Sequence, residues 1–104
     1  MISYVDLINS FRNHPRDIVT RPITNRDGKW FYVYTEKEHV VVTIAKENEP
    51  KCSISKPRIL PENECENMFN LYMMRKQGKK ISKEATQTSL NQVYWYGIFS
   101  DLGL

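Results

Sequence analysis

The chain has 104 residues, enough for one domain around one core and too few for two. Hydrophobic residues make up 40% and aromatics 12%, a composition that excludes disorder, and the formal charge of +3 is modest. Ser3, Asp6, Asn9, Ser10 and Arg12 interrupt every apolar run in residues 1 to 16, which excludes a signal-peptide core or membrane span there.

The first predicted element is a helix. Ser3 and Asp6 make a capping pair, Tyr4, Leu7, Ile8 and Phe11 recur at helical spacing, and His14-Pro15 stops it. Extended segments follow: residues 18 to 24, an Asn25-Arg-Asp-Gly28 turn, residues 29 to 35, a charged turn at Glu36-Lys-Glu38, and the β-branched residues 40 to 45. Asp-Gly between such runs is a strong hairpin signal, so the pattern predicts an antiparallel meander. A polar loop at residues 46 to 50 leads to a possible fourth strand around Cys52 to Ser55.

Pro61 and the acids Glu62 and Glu64 then open a second helix, because proline fits the first turn and carboxylates complement the positive helix N-terminus. Cys65, Met68, Phe69, Leu71 and Tyr72 form its buried stripe, and Arg75-Lys76 before Gly78 marks its end. A short helix is expected over residues 82 to 87. Ser89 followed by Gln92 reads as an S-x-x-Q capping box for a last helix over residues 89 to 101. The predicted fold class is therefore α+β in a single domain, residues 1 to 104: an N-terminal helix (1 to 16), a three- to four-stranded antiparallel meander (17 to 59), and two or three C-terminal helices packed on the sheet (60 to 104).

Charge is unevenly placed. Residues 1 to 50 carry seven basic and seven acidic groups, and residues 51 to 104 carry eight and five. The excess lies mainly in Arg75, Lys76, Lys79, Lys80 and Lys83, which suit a phosphate backbone or an acidic protein, or simply a solvated helix end. Residues 82 to 101 resemble a degenerate helix-turn-helix: Ala85, Leu90 and Ile98 supply small and apolar crossing residues, and Ser89, Asn91 and Gln92 open the second helix where amides can reach base edges. Glu84 and Ser89 depart from that pattern. The aromatic run Tyr94, Trp95, Tyr96 and Phe99, with Val93 and Ile98, wraps most of the helix, whereas a recognition helix needs a polar outer face. Those aromatics fit a buried or interface helix, with a homodimer as the expected assembly.

Trp30, Tyr32 and Tyr34 share one face of the second strand, where aromatics beside basic residues can stack single-stranded bases. Alternating aromatics more often cover the inner face of a sheet under a helix. The α-β-β-β-α order of residues 3 to 76 is that of a double-stranded-RNA-binding domain, but the basic second-helix N-terminus such domains use is replaced here by Pro61-Glu-Asn-Glu64, which excludes it.

Enzyme signatures are weaker. His14 and His39, the only histidines, lie 25 positions apart without Cys or carboxylate at ligand spacing, so no zinc site is expected. The four glycines form no phosphate loop, and no G-x-S-x-G elbow occurs. Asp27 with Glu49 and Lys51 makes only a generic nuclease-like set, weakened by Pro50. Cys52 and Cys65 read as free thiols of a reducing cytoplasm. The leading expectation is a small non-enzymatic interaction or assembly protein without cofactor or metal, pairing with itself or an unidentified protein through its last helix and having no membrane partner. The alternative is a nucleic-acid-binding regulator.

Overall fold

Ser3 starts the first helix as its spacing requires. In the computed structural model, which describes residues 2 to 21 and 28 to 104 apart from the side chains of Ser82 and Thr86, Ser3 Oγ accepts the Asp6 N–H at 3.2 Å. The Asp6 carboxylate accepts the Ser3 N–H at 3.0 Å, completing a capping box. This helix, α1 (Tyr4–Asn13), buries Tyr4, Leu7, Ile8 and Phe11.

Four strands follow, β1 (Arg16–Val19), β2 (Trp30–Glu36), β3 (His39–Ile44) and β4 (Arg58–Leu60), joined in one antiparallel sheet in chain order. The Asn25 to Asp27 part of the expected first turn, and Asp27 of the nuclease-like set, lie outside the described residues. Glu36 pairs with His39, so β2 and β3 are joined by only Lys37 (φ +49°) and Glu38 (φ +62°). Positive φ at both positions is the geometry of a type I′ turn, whose twist matches that of the flanking strands.

The fourth strand is not at residues 52 to 55. Cys52 and Ile54 alternate inward as a strand would, and both are buried. Their segment instead docks on the start of β2, where Trp30 N–H donates to Pro50 O and Cys52 N–H donates to Trp30 O, each at 2.8 Å. The free edge of β3 pairs with β4 further along, Val40 opposite Leu60 and Val42 opposite Arg58.

Three helices complete the α+β fold: α2 (Glu62–Lys76), α3 (Ser82–Thr88) and α4 (Gln92–Asp101). One core joins Phe31, Val33, Val40 and Val42 of the sheet to Leu7 and Phe11 of α1, Met68 and Tyr72 of α2, and Trp95 and Phe99 of α4. The helices therefore share the sheet face that carries Phe31 and Val33. Strand alternation puts Trp30, Tyr32 and Tyr34 on the opposite face, so these three aromatics do not form the inner face under a helix, a place taken by Phe31. α4 sits close to the sheet because position 97 has no side chain: a Cβ there would stand 3.0 Å from Val19 O and 3.1 Å from the Phe31 ring. Among the described residues no helix is long and apolar enough to cross a membrane.

Asp17 ties β1 to the segment after β3. Its carboxylate accepts the backbone N–H groups of Lys46 (2.9 Å), Glu47 (2.9 Å) and Asn48 (3.0 Å) and the Asn48 side-chain amide (3.0 Å). Burial pushes the Asp17 pKa upward, but the four donors outweigh it and hold the carboxyl below its ordinary value. A depressed folded pKa contributes stability that is present above the unfolded value, about 4, and lost as pH falls through the folded one. Asp17→Asn is therefore expected to lower the urea midpoint at pH 7 and to reduce its fall on the acid side. Midpoints measured from pH 7 downward check this, and equal acid sensitivity in both proteins would refute it.

Candidate nucleic-acid interface

The basic cluster takes its shape from the end of α2. Gly78 (φ +86°) adopts the left-handed conformation, its N–H donates to Arg75 O at 3.0 Å, and Lys79 N–H donates to Met74 O at 3.1 Å. These are the two bonds of a Schellman motif, which reverses the chain. Ile81, 3% exposed, then anchors the returning segment in the core. The reversal leaves Lys79 and Lys80 exposed beside Arg75, with Lys83 following in the first turn of α3.

Arg75, Lys79, Lys80 and Lys83 line one depression of about 530 Å³ with Gly78, Ile81 and a single carboxylate, Glu84. Arg75 is held in place: its guanidinium lies 4.7 Å from the Tyr96 ring centroid and donates to Arg21 O at 2.6 Å. Among the described residues Lys79, Lys80 and Lys83 have no ion-pair partner. Lys76, expected in the same cluster, does not line the depression; its Nζ donates to Leu104 O at 2.7 Å.

The polar residues expected to read bases are placed otherwise. Ser89 and Asn91 are buried, 4% and 8% exposed. Ser89 Oγ donates to Glu64 Oε1 at 2.6 Å and accepts the Asn91 N–H at 2.8 Å, so the S-x-x-Q box does not form and α4 starts at Gln92 rather than Ser89. Asn91 Nδ2 and Trp95 Nε1 also point to Glu64 Oε1, at 3.5 and 3.1 Å. Asn91 Oδ1 is buried without a hydrogen-bond partner among the described residues. Gln92 is half-buried at the start of α4.

Glu64 stands out only in the structure, since by pattern it is one of two acids in the first turn of a helix. Its signal was its spacing, because Glu64, Met68 and Tyr72 recur every fourth residue and so share the buried stripe of α2.

The four aromatics assigned to an interface are also accounted for within one chain. Tyr94 (7% exposed), Trp95 (0%), Tyr96 (4%) and Phe99 (0%) are core residues, because α4 packs between β1 and α2 and hides them on both sides. Of the apolar residues between positions 89 and 101, Leu90 (81%) and Val93 (48%) are the exposed ones. Among the described residues no group of three or more His, Cys, Asp or Glu gathers as a metal site. Lys51 of the nuclease-like set instead donates to Ala45 O at 2.8 Å. No family model, curated protein or solved structure matches the chain.

Proposed function

We propose that the protein is a non-enzymatic nucleic-acid-binding module that holds the phosphate backbone in the depression between α2 and α3. The observation that supports this reading is the convergence of Arg75, Lys79, Lys80 and Lys83 on one hollow with a single opposing carboxylate. Three of these cations have no internal ion pair to break among the described residues, so a phosphate meets them without that cost. Lysine ammonium groups are point charges without a fixed fork, so they attract phosphate without reading sequence. Because Ser89 and Asn91 are turned into the Glu64 network, the reading carries no helix-turn-helix base contacts from them, and binding is expected to be sequence-independent. A cytoplasmic setting belongs to the same proposal, since it would keep the buried Cys52 and Cys65 thiols reduced.

Log affinity should fall linearly with log salt, and Lys79→Ala with Lys80→Ala should lower the slope by about two while weakening all sequences alike. Anisotropy titrations with duplex DNA, single strands and RNA measure this. Absence of binding at about 100 μM in low salt, weaker than ordinary non-specific affinity, would end the reading.

Association with a protein partner or a second copy is the other reading. The exposure of Leu90 and Val93, three residues apart at the α3–α4 corner, favours it. It predicts a dimer in sedimentation that Leu90→Glu dissociates; a monomer at high micromolar concentration removes self-association.

A further inference from the structure

The sheet face turned away from the helices carries groups that the phosphate depression does not use. Tyr32 and Tyr34 are both half-buried there, their ring centroids 6.0 Å apart and their planes inclined by 34°. Just past β3, Lys46 places its Nζ 4.2 Å from the Tyr32 ring centroid. With Thr43, the register partner of Tyr32, and Pro57, these residues line a hollow of about 300 Å³.

Two further hollows adjoin it. One of about 400 Å³ shares Tyr32 and Lys46 and reaches His14 and Arg16, and another of about 290 Å³ shares Pro57 and reaches Lys37 and His39. The three make a track across the strands. Its carboxylates lie toward its ends, Asp17 and Glu47 at one and Glu36 at the other, and Asp17 is saturated by four N–H donors. The central hollow holds one charged group, the Lys46 ammonium, which has no ion-pair partner among the described residues.

We propose that this track binds a single-stranded nucleic acid, with Tyr32 and Tyr34 stacking unpaired bases and Lys46 meeting the backbone phosphate. The inference rests on the nucleic-acid reading for its class of ligand and adds strandedness. The Tyr34 ring on the open sheet offers flat apolar surface to any base, since every base has a π-face, and the Tyr32 ring does so once the Lys46 ammonium moves from its face to the phosphate. Bases inside a duplex are already stacked and cannot present theirs. A lone cation among aromatics suits a ligand that alternates flat rings with negative charge.

The test uses the intact chain, a dye-labelled 12-nucleotide oligothymidine and a 12-base-pair duplex at low salt. Tyr34→Ala is expected to weaken single-strand binding about 5- to 150-fold, the equivalent of one lost stack, and to leave duplex binding unchanged. Tyr34→Phe, which keeps the ring face, should bind as the parent does. Lys79→Ala with Lys80→Ala should weaken both probes.

Single-strand affinity unchanged in Tyr32→Ala with Tyr34→Ala overturns the inference while leaving the phosphate reading in place. Single-strand binding that needs Tyr34 but ignores Lys79 and Lys80 upholds the inference and removes the phosphate depression. Binding to neither probe removes both. Binding of a proline-rich peptide or an oligosaccharide through Tyr34, without oligothymidine binding, also overturns it. Ring proton shifts of Tyr32 and Tyr34 in the unmodified protein on titration with oligothymidine read the same contact without a variant, and unmoved rings count against it.

Discussion

Truncation of Trp95 to alanine is expected to remove about 3 to 5 kcal/mol of folding stability, the range for a fully buried aromatic side chain. The indole has 0% exposure, stacks on Phe99 with centroids 5.7 Å apart, and meets Tyr4 at 6.4 Å. Its Nε1–H also supplies one of the donors to Glu64 Oε1. The substitution therefore opens a cavity where α1, α2 and α4 meet, and it removes a hydrogen bond from a part-buried carboxylate. Small domains have a total stability of about 5 to 15 kcal/mol, so this one change uses a large share of it. Urea denaturation followed by circular dichroism is the measurement, because the Trp95 fluorescence is itself deleted. Trp95→Phe weighs the two effects: it loses the N–H and a small part of the ring volume but keeps most of the packing, so its cost should be well below that of alanine. A loss under about 1 kcal/mol for Trp95→Ala would contradict the placement of α4 in the core.

What could be read in the sequence follows from the range of each interaction. The Ser3–Asp6 box and the Gly78 stop depend on residues within five positions of each other, and both form as spacing predicts. Strand parity correctly groups Trp30, Tyr32 and Tyr34 on one face, but it does not say which face the helices cover. That is decided by α4, which closes over Phe31 at the Gly97 contact, long-range information that no local pattern contains. The apolar girdle of α4 presents the same ambiguity, since it demands neighbours on every side without saying whether α2 or a second chain provides them. The capping signal at Ser89 failed for a related reason. Its hydroxyl had a charge-assisted alternative in Glu64, twenty-five positions away, and hydrogen bonds to a carboxylate are stronger than those to a neutral acceptor. The basic cluster was legible as composition, and its grouping around one hollow, with Lys76 turned aside, required the chain reversal at Gly78.

Tyr4 is expected to matter for its hydroxyl as well as its ring. The Oη–H donates to Leu60 O at 2.6 Å, and the oxygen accepts the Val40 N–H at 2.8 Å, so one buried hydroxyl bridges the Val40–Leu60 pair of β3 and β4. Tyr4→Phe keeps the ring and orphans one buried donor and one buried acceptor, each worth about 1 to 3 kcal/mol. The combined loss should be about 2 to 6 kcal/mol, with faster hydrogen exchange at the Val40 amide. Burial chiefly, with help from Glu62 and Cys65 and against the Val40 hydrogen bond, raises the hydroxyl pKa above its ordinary 10.0. A raised folded pKa means that stability is fully present below the unfolded value and declines as pH climbs through the folded one. Cys65, pushed from 9.0 up to about 11 mainly by burial, adds a similar alkaline loss that begins about one pH unit lower. Comparing Tyr4→Phe with the parent between about pH 7 and 11 subtracts the Cys65 contribution, because both proteins keep that thiol. The gap between them should be widest near neutrality and narrow above about pH 10. An unchanged urea midpoint at pH 7, with the Val40 amide still protected, would show that β3 and β4 pair without the hydroxyl.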